Sequence, residues 1–198
     1  MLRVCSFNIG PIHVVAFDSE TSYFNSPNDS YTGLPNGDFG NQLAWFTADL
    51  EHANTPAQRA LRPWIVATTH RPLYSLGDCD DNGNPSGTSR DLAAAFETLM
   101  YNNSVDVHFS GHIHAYERQL PVYKNAVDSR APTYIVSGAG GNSENHSDLN
   151  SKAGVHWNAY FNTVDYGIGA FEASNTQLTW TFFKGTDGSV LDTVTLNK

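Results

Sequence analysis

Basic residues are scarce. The 198-residue chain has 11 lysines and arginines against 20 aspartates and glutamates, a formal net charge of −9 with a pI near 5.2. Such a surface repels polyanions and argues against a nucleic-acid partner. An anionic small substrate stays admissible where a metal supplies local positive charge. Long apolar runs are missing too: no stretch approaches the roughly 20 residues that a membrane-spanning helix needs, so no membrane partner is expected. The opening, MLRVCSFNIG, lacks a charged segment followed by a long apolar one, and does not read as a signal peptide. Cysteine is limited to Cys5 and Cys79, at most one bridge. They could pair with each other, stay free, or have partners in sequence outside this chain.

What remains is a globular composition, 40% hydrophobic and 16% charged, with 12% aromatics to fill a core. The length suits one medium domain, or one domain with a small appendage. Three sequons, at Asn28-Asp29-Ser30, Asn102-Asn103-Ser104 and Asn145-His146-Ser147, suit a secreted glycoprotein, or are chance occurrences in an Asn-rich chain.

Residues 4–9 and 12–17 read as two strands around a turn at Gly10-Pro11. A polar loop rich in Asn, Ser, Pro and Gly fills Asp18 to Gly40. Leu43, Phe46 and Leu50 then fall at helical spacing, predicting a helix over roughly 41–53. The apolar run Trp64–Thr69 predicts a buried strand ending on His70. After a second loop, Ser75 to Ser89, a helix covers RDLAAAFETLMYN, with Ser89 or Asp91 as its cap. Strands follow at Val105–Phe109 and Thr133–Ser137, the latter running into Gly138–Gly141, whose N–H groups could approach a phosphate or simply make a tight turn. The tail alternates over Ile168–Glu172, Gln177–Lys184 and Val190–Leu196, with a turn at Gly185–Gly188. The first part is mixed α/β and the last mostly β.

Three of the eight histidines, His70, His112 and His114, follow the C-terminal ends of predicted buried strands, where open α/β sheets place ligand and metal sites. Imidazole suits zinc, iron and similar metals, so three such groups make a plausible partial coordination sphere. The competing reading of each, alone, is a satisfied structural histidine. His13 and His108 read as structural, and His52 and His156 have no evident partner. Asp78, Asp80 and Asp81 suggest a calcium loop, but their spacing does not fit one.

Ser110-Gly111-His112-Ile113-His114-Ala115-Tyr116-Glu117-Arg118 resembles the G-H-x-H-A-Y-E-R signature of purple acid phosphatases, in the calcineurin-like metallophosphoesterase superfamily. Thr69-His70-Arg71-Pro72-Leu73-Tyr74 resembles the family's H-R-P-x-Y segment. Gln42–Phe46 with Asp49-Leu50 is similar to its preceding helix, Val136–Asn142 to its glycine loop, and Tyr166–Gly169 to its C-terminal region. The similarity runs in order over nearly the whole chain. It implies an α/β (α+β) fold: part of a metallophosphoesterase β-sandwich flanked by helices over 1–121, and a β-rich C-terminal extension over 122–198.

The resemblance further implies a dinuclear centre, iron(III) with zinc, manganese or iron(II). His70 and His112 would hold one metal and His114 the other. Tyr116, Glu117 and Arg118 could orient the site or meet substrate; a surface ion pair of Glu117 and Arg118, and packing of Tyr116, are the alternatives. His146 could reach the site mouth. The implied activity is hydrolysis of phosphate monoesters by a secreted acid phosphatase acting on a small phosphate-ester substrate. The family's other ligands lie in an N-terminal half, in D-x-G, G-D-x-x-Y and G-N-H-E segments that have no counterpart here; Gly37-Asp38-Phe39 is not a match. The expectation is therefore at most one metal in this chain alone, with little activity. The alternative is a catalytically inactive metal-binding fragment. Apolar surface should lie exposed along the sheet that starts at Val4–Ile9, open to a missing half-domain or to self-association.

Overall fold

The computed structural model describes residues 4–20, 41–141 and 143–198. Most of the first polar loop, Gly37-Asp38-Phe39, the Asn28 sequon and Asn142 lie outside the described residues.

Twelve strands form three sheets among the described residues. The main sheet has seven strands in the order β1-β2-β3-β4-β8-β5-β9. These are β1 Cys5–Ile9, β2 Ile12–Ala16, β3 Trp64–Thr68, β4 Val107–Ser110, β5 Tyr116–Gln119, β8 Thr133–Ser137 and β9 Asn158–Asn162. β2, β3, β4 and β8 run parallel, while β1 and β5 are antiparallel to their neighbours. β6 Val122–Tyr123 and β7 Ala126–Val127 make a small hairpin. Its turn residues Lys124 and Asn125 both adopt positive φ, the backbone of a tight primed turn. The tail is a three-stranded antiparallel sheet of β10 Gly167–Ala173, β11 Gln177–Lys184 and β12 Val190–Asn197.

Strand alternation assigns each face its cover. On one face Val15, Ile65, Ala67, Tyr134 and Val136 pack against helices. These are α1 Gln42–Ala53, α2 Pro56–Leu61, and α3 Gly87–Leu92 continuing through a π turn, Ala93–Glu97, into α4 Thr98–Asn102. Phe46, Leu50, Phe96 and Met100 carry that contact. On the other face Trp64, Val66, Val107, Tyr116 and Ile135 meet Leu178, Trp180 and Phe182 of the tail sheet. The result is helix, sheet and sheet in three layers, the sandwich expected from the sequence.

One expectation is corrected, and the cysteine alternatives are resolved. The second long helix starts at Gly87 with Ser86 as its cap. Ser89 lies inside it, its buried hydroxyl donating to the Pro72 carbonyl at 2.7 Å. β8 lies between β4 and β5, so the main sheet takes strands from both sides of residue 121. Both cysteines are free, Cys5 exposed and Cys79 buried.

The tail sheet covers the middle of its face and leaves the β1 end open. All of β1 is exposed, with Phe7 at 52% and Ile9 at 61%. Phe7, Ile9, Ile12, Val14, Val66 and Phe109 floor an apolar groove of about 510 Å³, bounded by Phe171 of β10.

Candidate metal centre

β3 and β4 are adjacent and parallel, with Thr68 opposite Phe109. Their C-terminal ends therefore deliver two loops side by side. His70 follows β3, and His112 and His114 follow β4. The loops are tied together by the Gly111 N–H, which donates to the His70 carbonyl at 2.9 Å. His112 adopts φ 66°, a left-handed conformation that costs a non-glycine residue energy and concentrates at functional sites.

That turn brings His112 Nδ1 to 3.2 Å from His70 Nε2. Arg71 Nη1 lies 2.8 Å from His112 Nε2. A guanidinium can only donate, so Nε2 accepts, and the neutral ring carries its proton on Nδ1, facing His70. Burial holds the His112 pKa below its usual value, helped by the positive charge of Arg71 beside it. Arg71 is itself held by Glu20 Oε1 at 2.7 Å and by Ser19 Oγ on its own N–H.

His114 takes a different direction. Its Nε2 lies 3.7 Å from the exposed Glu144 carboxylate. Its carbonyl accepts from the Ser147 N–H at 3.0 Å and from His146 Nδ1 at 3.2 Å. His146 stacks on Tyr166 with ring centroids 4.2 Å apart, and its Nε2 is buried with no hydrogen-bond partner among the described residues. His146 thus sits against the signature loop.

The rest of the signature points elsewhere. Tyr116 is fully buried; its hydroxyl donates to Asp192 Oδ2 at 2.7 Å and its ring stacks on Phe182 at 4.0 Å. Arg118 makes a two-pronged ion pair with the same Asp192, at 2.7 and 2.9 Å. Glu117 does not pair with Arg118. It is fully buried and accepts from Ser75 Oγ, the Leu76 N–H and Gln119 Nε2. Tyr116 and Arg118 therefore bind the tail sheet to the signature strand, while Glu117 binds the loop that begins at His70.

Glycine supplies the remaining close approach. A Cβ on Gly138 would lie 1.8 Å from the Ile113 carbonyl oxygen, so only glycine lets β8 exit beneath the residue between His112 and His114. The Gly138 N–H donates to the Ala115 carbonyl at 3.0 Å. Of the other histidines, His13 bridges Asn8 and Asp49. His108 is buried beside Thr69.

Two imidazole nitrogens on one tetrahedral ion stand about 3.3 Å apart, given metal–nitrogen bonds of about 2.0–2.1 Å. The His70 and His112 ring nitrogens stand at about that separation. Among the described residues no group of three or more His, Cys, Asp or Glu side chains is placed to hold a metal. A complete dinuclear centre is not assembled from them. Arg71, Ser75 and Asp192 carry contacts that no local sequence signal assigns to them. The H-R-P-x-Y similarity pointed at the first, but nothing in the sequence pairs Ser75 with Glu117 or Asp192 with Arg118.

The profile of the calcineurin-like phosphoesterase family matches residues 7–116, and that of the iron/zinc purple acid phosphatase-like protein C-terminal domain matches 131–193. Acid phosphatase A of Cryphonectria parasitica is 35% identical over 204 residues, which is 98% of this chain and 38% of that protein. Acid phosphatase type 7 of Danio rerio is 31% identical, over 98% of this chain and 46% of its own length. The chain thus spans less than half the length of these relatives. A purple acid phosphatase from yellow lupin seeds shares the fold with a TM-score of 0.71 at 22% identity, over 98% of this chain and 32% of that one. GAP50, the anchor in the inner membrane complex of Plasmodium, shares it with a TM-score of 0.65 at 19% identity, over 98% and 53%. With both profiles matched in order and the signature histidines at paired strand ends, the chain belongs to the calcineurin-like phosphoesterase family, on its purple acid phosphatase side.

Proposed function

We propose that this chain supplies part of a dinuclear centre that hydrolyses small phosphate monoesters, with His70 and His112 as ligands of one ion and His114 as a ligand of the other. The observation that carries this reading is the 3.2 Å approach of two ring nitrogens from adjacent strand ends. Metals of this kind polarise the phosphoryl group and make hydroxide available near neutral pH. The chain's own residues position and attract. Arg71 places a positive charge beside the pair and so favours an anionic ester. A ligand role through His112 Nδ1 moves its proton to Nε2, and Arg71 must then give up its contact there. His146 braces the same loop through its Nδ1 contact with the His114 carbonyl.

A second reading is favoured by the incomplete ligand set: a metal-binding piece without turnover. The bridging carboxylate would come from polypeptide like that flanking the matched region in the relatives. The same flanking polypeptide, or a second copy, would cover the groove at β1. Secretion and glycosylation at the exposed Asn102 accord with a phosphatase of this family.

The test is a p-nitrophenyl phosphate assay at pH 5 with iron, zinc and manganese added in turn, alongside His112→Ala. The expected result is metal binding lost in the variant, with turnover weak or absent in both. Strong turnover that vanishes in His112→Ala would sink the incomplete-site reading. Equal metal affinity in the two proteins would sink the ligand assignment.

A further inference from the structure

Glu117 is a carboxylate in the wrong surroundings for a merely structural residue. It lies fully buried on β5, and the one cation on its own strand, Arg118, turns away to Asp192. Three uncharged donors face it: Ser75 Oγ at 2.6 Å, the Leu76 N–H at 2.7 Å and Gln119 Nε2 at 2.8 Å. Burial without a cation pushes its pKa up to about 7 although all three donors pull it down. A glutamine or an apolar residue would be cheaper for stability alone.

Its two loop contacts fall on one turn. Ser75 Oγ also accepts from the Gly77 N–H at 2.9 Å and caps the short helix Leu76–Asp78. That turn lies against the signature loop: a Cβ on Gly77 would come within 2.8 Å of the Ile113 side chain. Ile113 stands between His112 and His114. At its other end the same segment carries His70, whose carbonyl receives the Gly111 N–H. Between them Tyr74 donates to the buried Glu97 at 2.6 Å. The His70 loop is therefore pinned to the His112 loop at two places, and Glu117 is the pin at the far end.

We propose that Glu117 is a positioning residue for the His70–His112 pair, acting through Ser75 and Leu76 to hold the two histidine-bearing loops in register. This rests on the reading of that pair as metal ligands, and the experiment separates the two claims. Residues that orient ligands are typically worth 10- to 100-fold in metal affinity. Glu117→Leu removes all three acceptor contacts. Glu117→Gln keeps the shape; its carbonyl accepts from Leu76 and Gln119, and its amide donates to the rotatable Ser75 hydroxyl. Leu178→Ala, in the tail-sheet core, serves as a control that destabilises without touching the loops.

Two readouts are needed. Imidazole ¹⁵N spectra of the metal-free proteins report whether His112 is held as the Nδ1–H tautomer. Cobalt(II) titration followed by visible absorption reports affinity. The expected result is the Nδ1–H signature in wild type, Glu117→Gln and Leu178→Ala, and its loss in Glu117→Leu with at least a 10-fold weaker cobalt affinity. Where the Leu variant does not fold, Ser75→Ala takes its place, with the same direction of change. A Leu or Ser75→Ala variant that keeps both wild-type signals would overturn the proposal, as would a Gln variant as impaired as Leu. Wild type that binds no cobalt would refute the ligand reading alone, because the tautomer signature still decides the role of Glu117.

Discussion

Gly138→Ala is the smallest change that should disturb both histidine loops at once. The added Cβ would stand 1.8 Å from the Ile113 oxygen and 2.7 Å from its carbonyl carbon. Ordinary contact is about 3.5 Å, so one backbone must retreat by roughly 1.7 Å. Neither is free to do so. The Gly138 N–H is bonded to Ala115, and the Ile113 N–H to the Gly111 carbonyl. The preceding strand β8 is wedged between β4 and β5. Overpacking in a core costs about 1–3 kcal/mol, and a backbone partner puts this site at the upper end, about 3 kcal/mol. For a chain of this size each kcal/mol shifts the melting temperature by about 2–4 °C, so the loss should be roughly 6–12 °C. Thermal unfolding followed by circular dichroism, with Gly140→Ala as the control because nothing lies within 4 Å of its Cβ, measures it. A Gly138→Ala protein melting within about 2 °C of wild type would refute the claim that the glycine is there for close approach.

Two buried groups give stability opposite slopes against pH. Glu117, pushed up to about 7 from 4.5, contributes stability that is full below 4.5 and lost as pH rises toward 7. Burial pushes His108 down to about 3 from 6.5, so its contribution is full above 6.5 and lost as pH falls toward 3. Between 4.5 and 6.5 each contributes about 1.4 kcal/mol per pH unit, and the two cancel. Urea midpoints at pH 4.5, 5.5 and 6.5 should therefore rise with pH in Glu117→Gln and fall in His108→Gln, and parallel curves for both variants and wild type would defeat the argument. At the open end of the sheet, Phe7→Thr with Ile9→Thr should cut binding of a hydrophobic dye severalfold while changing stability by no more than about 0.5 kcal/mol; unchanged dye binding would place the exposed apolar surface elsewhere.

Elements whose signal is local were legible in the sequence. Helix α1 is written in Phe46 and Leu50, which point into the core from one helical face. The tail strands alternate because one face meets the main sheet and the other meets solvent; in β11, Leu178, Trp180 and Phe182 are the buried set. The approach of His70 to His112 was legible for a related reason, whereas the separate direction of His114 was not. Buried parallel strands read as short apolar runs, and a histidine directly after such a run stands at the ligand-binding end of a sheet. The similarity to purple acid phosphatases then gathered three such histidines into one proposal.

β5 was not legible, although it touches both the tail sheet and the loop that follows His70. Its sequence, Tyr-Glu-Arg-Gln, has neither alternation nor an apolar run, yet none of its four side chains is exposed. The pattern fails because polar burial is decided by partners far along the chain. Asp192, 74 residues on, takes Arg118 and the Tyr116 hydroxyl; Ser75 and Leu76, about 40 residues back, take Glu117. A buried charge with partners and one without cost several kcal/mol apart, but the residue itself reads as a surface residue in both cases. Side chains alternate along β5, so Tyr116 and Arg118 face the tail sheet while Glu117 faces the His70 loop. One strand thus ties the β-rich tail to the histidine loops. A tail that was only an appendage would leave Asp192 without buried partners. Instead, one four-residue strand turns Tyr116 and Arg118 to Asp192 on the tail and Glu117 to the loop that follows His70, so the tail and that loop are held on opposite faces of the same strand.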